Sequence, residues 1–187
     1  MILFLSPPGV KLVDSDIHGQ DIRQREVRDR LGSSPWRMPA EAIAHHSGWL
    51  REIVVIPSCT IESITGGKRQ GTCDEFERFV KLFGSMFLDR STAPRIRSLH
   101  ELTGKPAYAA GIDFENATAL VQAVHDAYEA LNREGLHDRH IIVDITGGQK
   151  PPTVAGAMVA LSENRECQYV SMHDMRILAY DFIYIVN

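Results

Sequence analysis

No stretch of the sequence approaches the roughly 20 consecutive apolar residues of a membrane-spanning helix. The first apolar run, residues 1–5, meets Pro7-Pro8-Gly9 at once and has no basic leader. It is too short for a secretory signal and reads instead as a buried strand. Cysteine is scarce. Cys59, Cys73 and Cys167 are odd in number and widely spaced, which excludes a disulfide framework and a CxxC zinc pattern and points to a reducing, cytoplasmic setting. Positive charge is not in excess either: 20 Lys and Arg against 24 Asp and Glu give a formal charge of −4. That excludes the broad basic face of a protein that coats long nucleic acid, while leaving room for one local anion site.

Common motifs are missing as well. Neither Gly67-Lys68 nor Gly104-Lys105 has the upstream glycine and the following Ser or Thr of a Walker A loop, and no GxGxxG follows an apolar run. ATP hydrolysis and dinucleotide redox chemistry are therefore not expected. The eight histidines include no HExxH; His45-His46 and His137-Asp138-Arg139-His140 lack ligand spacing, so neither a metal nor a cofactor is expected. Trp36 and Trp49, flanking Arg37 and Arg51, have rings able to stack on a base, but core or interface packing is the better reading of both.

What remains is an ordinary globular composition, 44% hydrophobic and 24% charged over 187 residues, enough for one α/β domain to stand without disulfides or metals. The apolar runs at residues 1–5, 53–57, 141–145, 168–171 and 177–186 read as strands. Within them, residues 53–56 and 141–143 are continuous β-branched runs, as in strands covered on both faces of a parallel sheet. Residues 107–112 are a weaker strand candidate. Residues 116–133 and 75–87 repeat apolar residues at helical spacing. Residues 153–162 are apolar nearly all round and predict a buried helix. Residues 21–31 and 39–50 are weaker helices, and 88–106 shows no period. Strands alternating with helices give the α/β class: a Rossmann-like three-layer fold with a mainly parallel central sheet, in one domain over 1–187.

The most informative segment is Ile141-Ile142-Val143-Asp144-Ile145-Thr146-Gly147-Gly148-Gln149-Lys150-Pro151-Pro152-Thr153. It reads as a strand, a tight glycine turn, and a helix opened by proline. Glycines let a ligand approach the backbone, free N–H groups and the helix dipole favour an anion, and Lys150 adds full charge. In an open α/β sheet such a turn lies at the carboxyl edge, where ligands bind. The alternative is a packing turn without a ligand. A second glycine-rich segment, residues 65–72, carries Lys68 and Arg69 and reads either as a flap over the ligand or as an exposed loop.

The block Val143-Asp144-Ile145-Thr146-Gly147-Gly148-Gln149-Lys150, with Ala155-Gly156-Ala157 and Tyr169-Val170-Ser171 after it, resembles the signature of CARF domains, the CRISPR-associated Rossmann-like sensors of cyclic oligoadenylates. The resemblance implies a homodimer with a cyclic tetra- or hexa-adenylate across its two-fold axis, in type III antiviral defence. By match to the motif, Thr146, Gly147, Gly148, Gln149 and Lys150 would meet ribose and phosphate, with Ser6, Pro7 and Gly9 on the opposite wall. Ser58, Thr60, Thr65, Gly67 and Lys68 would complete the ligand shell, and His173-Asp174 lies within reach of the rim. Such proteins usually carry an effector after the sensor; none is expected here, since the chain ends at or near a strand.

Two activities follow from the resemblance. One is a ring nuclease, in which the ribose 2′-OH attacks the adjacent phosphate without a metal, with Lys150, Thr146 and Ser6 as catalytic candidates. The other is a non-catalytic sensor or sink that signals to a separate protein. A Rossmann-like domain for another phosphorylated metabolite is the more distant alternative.

Overall fold

The continuous apolar runs form parallel strands covered on both faces. The computed structural model describes residues 1–9, 17–62, 66–89, 91, 93–147, 149–162 and 164–181. In chain order the elements are β1 (Ile2–Phe4), α1 (Arg25–Asp29), α2 (Arg37–His46), β2 (Glu52–Ile56), β3 (Ile61–Glu62), β4 (Lys68–Arg69), α3 (Phe76–Ser85), β5 (Arg95–Ser98), α4 (Leu99–Thr103), α5 (Ala117–Arg133), β6 (Ile142–Asp144), α6 (Lys150–Ala160), β7 (Glu166–Val170) and β8 (Ile177–Asp181). Six strands make the main sheet in the order β5-β2-β1-β6-β7-β8, while β3 and β4 form a separate hairpin. Only β8 runs antiparallel to its neighbour in the main sheet.

Side-chain alternation along these strands builds two cores. Ile2, Phe4, Val54, Ile56, Val143 and Cys167 face one cluster, which α4, α5 and α6 close with Leu99, Leu120, Val124, Leu131 and Val159. Met1, Leu3, Leu5, Ile53, Val55 and Val170 face the other, closed by α1, α2 and α3 with Val27, Ile43, Phe79 and Phe83. The result is a Rossmann-like three-layer α/β fold. The chain steps outward from β1 through β2 to β5 with helices on one face. It then returns to β6 and β7 with helices on the other, as right-handed crossovers require when strand order reverses. The reversal lies between β1 and β6, where Leu3 pairs with Asp144. A crevice opens at the carboxyl ends of such a strand pair.

Several expectations are corrected. Residues 88–106 are not irregular: they hold edge strand β5 and helix α4. The strand is hidden in sequence because Arg97 is buried by ion pairs to Glu52 and Glu134 rather than by apolar contact. The helix carries a capping box, Ser98 with Glu101, and ends on left-handed Gly104. Residues 107–112 are not a strand. Pro106–Tyr108 is a 3-10 turn, tied by Lys105 and Tyr108 to buried Asp126, and only Ile112 pairs, with Ser58.

Helix α6 starts at Lys150 rather than residue 153. It is not buried all round, since Val154 (56%), Met158 (55%) and Leu161 (46%) are exposed. The weaker helices are shorter than expected, Arg25–Asp29 and Arg37–His46. The last strand is described to Asp181, and residues 182–186 of that expectation lie outside the described residues. No described helix is long and apolar enough to cross a membrane.

Candidate functional site

The turn after β6 is fastened from beneath. Asp144 is buried, and its carboxylate accepts from the Thr146 backbone N–H (2.9 Å) and from Gln168 Nε2 (2.8 Å). The Thr146 hydroxyl and the Gly147 N–H also donate to it. Burial pushes this carboxyl up from its ordinary value, while the four donors pull it down; burial is the larger influence. The Thr146 hydroxyl oxygen accepts the Val170 N–H at 2.7 Å, and the Ile145 N–H donates to the Gln168 carbonyl at 2.8 Å. Thr146 is thus engaged on the inner side of the turn, between Asp144 and β7. Gln168 in turn meets His46 of α2 at 2.6 Å through its amide oxygen. Since the Gln168 amide nitrogen donates to Asp144, His46 Nε2 is the donor in that pair.

The same turn backs onto the end of β1. A Cβ on Gly147 would lie 2.5 Å from the Phe4 carbonyl oxygen and 3.5 Å from Ser6 Oγ. Glycine is required here by a backbone neighbour that cannot yield. Gly147→Ala is expected to lower stability by about 1–3 kcal/mol through overpacking, read as a fall in Tm. An unchanged Tm would show that β1 and the turn part without cost.

Ser6, Pro7 and Gly9 follow β1, as expected of one wall. The Ser6 carbonyl accepts from Trp36 Nε1 at 2.7 Å, and the Pro8 carbonyl accepts from Ser34 Oγ at 2.5 Å. Gly9 sits at φ +79°, with Pro35 3.3 Å from its would-be Cβ. Trp36 is fully buried, edge-on to Phe79. It therefore cannot stack on a ligand base and acts instead as a prop for the Ser6 loop. Trp49 is 76% exposed, which removes the core reading and leaves that of interface packing. It lies just before β2, at the amino end of that strand and away from the crevice.

At the mouth, Lys150 is the first residue of α6 and Gln149 is its N-cap. Both are exposed. Pro151 and Pro152 follow, so two of the first three helical positions lack an N–H. The helix terminus therefore offers an anion fewer backbone donors than its position implies, and the charge of Lys150 becomes the main attraction. A cation at the positive end of a helix dipole is unfavourable for folding. Nothing in the capping of α6 accounts for Lys150.

Ser58 and Thr60 follow β2, but their described bonds run to the hairpin base. The Ser58 N–H donates to Thr72 Oγ1 (2.8 Å), the Thr72 N–H to Ser58 Oγ (3.0 Å), and the Gly71 N–H to Thr60 Oγ1 (2.9 Å). These residues anchor β3–β4, which is a hairpin pinned at its base rather than a free loop. Gly67 and Lys68 are exposed on it, with Lys68 opposite Glu62. Of the two basic residues on this hairpin it is Arg69, not the site candidate Lys68, that reaches the glycine turn: its Nη1 lies 3.5 Å from Gln149 Oε1 and 2.5 Å from Glu115 Oε1. His173 and Asp174 are exposed in the turn before β8, and Asp174 pairs with Arg176. Thr65 and Gly148 lie outside the described residues.

No group of three potential metal ligands occurs among the described residues. A groove of about 600 Å3 lined by Asn132, His137, Asp138 and Arg139 lies at the amino end of β6. That is the opposite edge of the sheet from the glycine turn, and ligands of open α/β sheets bind at the carboxyl edge.

No family model matches the chain, and no solved structure matches it. An uncharacterized protein of Aquifex aeolicus is 29% identical over 149 residues, 80% of this chain. The chain spans about two fifths of that relative's length, 41%.

Proposed function

We propose that the β1/β6 crevice binds a cyclic oligoadenylate and cleaves it, as a ring nuclease of the CARF type. The observation that carries this reading is Lys150: an exposed cation, unfavourable where it stands for folding, at the mouth of a glycine turn held rigidly against Ser6. The resemblance of residues 143–150 to the CARF signature supplies the ligand class. A two-fold ring calls for a two-fold site. Lys150, Val154 and Met158 share one face of α6 by spacing, Leu161 follows as its C-cap, and the three apolar ones are exposed. That favours a homodimer whose apolar contact brings two Lys150 groups toward one ring.

The chemistry needs no external nucleophile. A ribose 2′-oxygen attacks the adjacent phosphorus, the 2′-proton leaves, and the bond to the 5′-oxygen breaks as that oxygen takes up a proton. The product is a linear oligoadenylate ending in a 2′,3′-cyclic phosphate. The protein's part is to hold the 2′-oxygen in line and to stabilise the charge gathering on the phosphate oxygens. Lys150 supplies that charge. Ser6, beside the turn, orients the ribose, while Thr146 acts from within by fixing the turn.

One observation favours the alternative, a sensor or sink that binds without cleaving. Asp144, the carboxylate of the turn, is buried among four donors and is not placed to act as a general base. Incubation of the protein with radiolabelled cyclic tri-, tetra- and hexa-adenylate in EDTA separates the two. Linear products are expected for one ring size. A shifted complex without products would establish the sensor, and no binding at micromolar protein would overturn both.

A further inference from the structure

We propose that Arg69 is a second phosphate-contacting cation of this crevice and that Glu115 holds it in the unliganded protein, so that carboxylate and ligand phosphate compete for one guanidinium. The assignment rests on the proposed cyclic oligoadenylate site. Arg69 is the last residue of β4, two positions before Gly71. At Gly71 the hairpin is pinned so closely that a Cβ would lie 2.4 Å from the backbone of Ser58 and Cys59. The base of the hairpin cannot swing, so the reach of Arg69 is that of its side chain.

That side chain spans two elements. It touches Gln149, the residue before Lys150, and pairs with Glu115 ahead of α5. Glu115 is itself held in place, because its N–H donates to Asp113 Oδ1 at 2.9 Å. The guanidinium therefore waits within one residue of the lysine at the mouth.

The pair is built to be exchanged. Arg69 is 40% exposed and Glu115 64%, and ion pairs so open to solvent contribute little to folding. A phosphate offers the guanidinium fork the same bidentate partner as a carboxylate, with Lys150 beside it as a second cation. A lone small anion gains little by displacing Glu115, whereas a ring that places successive phosphates on both cations gains twice. Glu115 thereby acts as a threshold on what enters the crevice, which suits a chain that is acidic overall.

The competition predicts opposite signs for the two partners. In fluorescence anisotropy titrations with labelled cyclic tri-, tetra- and hexa-adenylate, Arg69→Ala is expected to weaken binding of the preferred ring about 10-fold or more. Glu115→Gln is expected to tighten it by about threefold. The double variant should bind like Arg69→Ala alone, and Arg69→Lys should recover part of the loss. A pair that merely holds the hairpin moves both single variants in the same direction, and that result, or no change in Glu115→Gln, overturns the assignment. Melting curves of each variant report whether the fold is kept. Failure of the wild-type protein to bind any ring overturns the proposed function and this assignment with it, whereas wild-type binding with unaltered variants overturns the assignment alone.

Discussion

Replacing Lys150 by alanine is expected to lower kcat for ring cleavage by about 10²–10³-fold, the usual consequence of removing one group that stabilises developing charge. Stability should not fall with it. The side chain is exposed, its ammonium stands at the positive end of the α6 dipole, and alanine is the better helix former. Tm is therefore expected to stay level or rise slightly, and that combination separates a functional lysine from a structural one. Single-turnover cleavage of labelled ring in EDTA, beside a thermal melt, makes the comparison. Lys150→Arg keeps the charge and should retain part of the rate. Undiminished turnover in Lys150→Ala would remove the residue from the mechanism and leave Arg69 as the cation to examine.

Much of this arrangement is legible in the sequence, for identifiable reasons. Ile53-Val54-Val55-Ile56 cannot be half-exposed, so a strand covered on both faces follows, and with it the layered fold. Gly147 and Lys150 stand out because a strand, a glycine turn and a proline-opened helix occur in immediate succession. Residues buried by partners rather than by their own apolar surface escape such a reading. Arg97 marks an edge strand only once Glu52 and Glu134 are known to surround it. The Ser98-to-Glu101 capping box next to it was readable and was the available signal for α4.

The site shows the same division. Thr146 is recognisable as part of the turn, but the direction of its hydroxyl depends on β7, whose Val170 N–H it accepts. Trp36 lies 30 residues from Ser6 and supports it through one bond. Arg69 and Lys68 are indistinguishable in sequence; in a two-residue strand adjacent side chains point to opposite sides, and only Arg69 turns toward Gln149. A helix apolar nearly all round predicts burial on every side, but composition alone does not say which face of α6 packs on the sheet, and Val154 and Met158 lie on the other.

Asp144 carries the other large expected effect. Asp144→Ala leaves the N–H groups of Thr146 and Gly147, the Thr146 hydroxyl and the Gln168 amide without their acceptor inside the protein. A loss of about 3 kcal/mol or more is expected, seen as a fall in Tm of about 6–12 °C for a chain of this length. Asp144→Asn should be far milder. The Asn oxygen can take the turn donors while its amide donates to a flipped Gln168, whose own amide then donates to neutral His46. The two variants also differ from the wild type in pH dependence. Burial sets the folded-state pKa of Asp144 above its unfolded value, so the folded protein binds the extra proton between the two. Wild-type stability from this group is then greatest at low pH and falls as pH rises from 3.8 through the folded value. Asn does not titrate, and the Tm of Asp144→Asn relative to wild type should climb across that window and level off above it. Burial holds His46 below 6.5 and gives a slope of the opposite sign, stability being lost as pH falls through its folded value; because the flipped Gln168 of Asp144→Asn donates to His46 and favours its neutral form, that slope is steeper in the variant and adds to the climb of the difference below 6.5. A Tm difference that stays flat with pH would mean that Asp144 keeps its ordinary pKa beneath the turn, with its four donors offsetting burial in full.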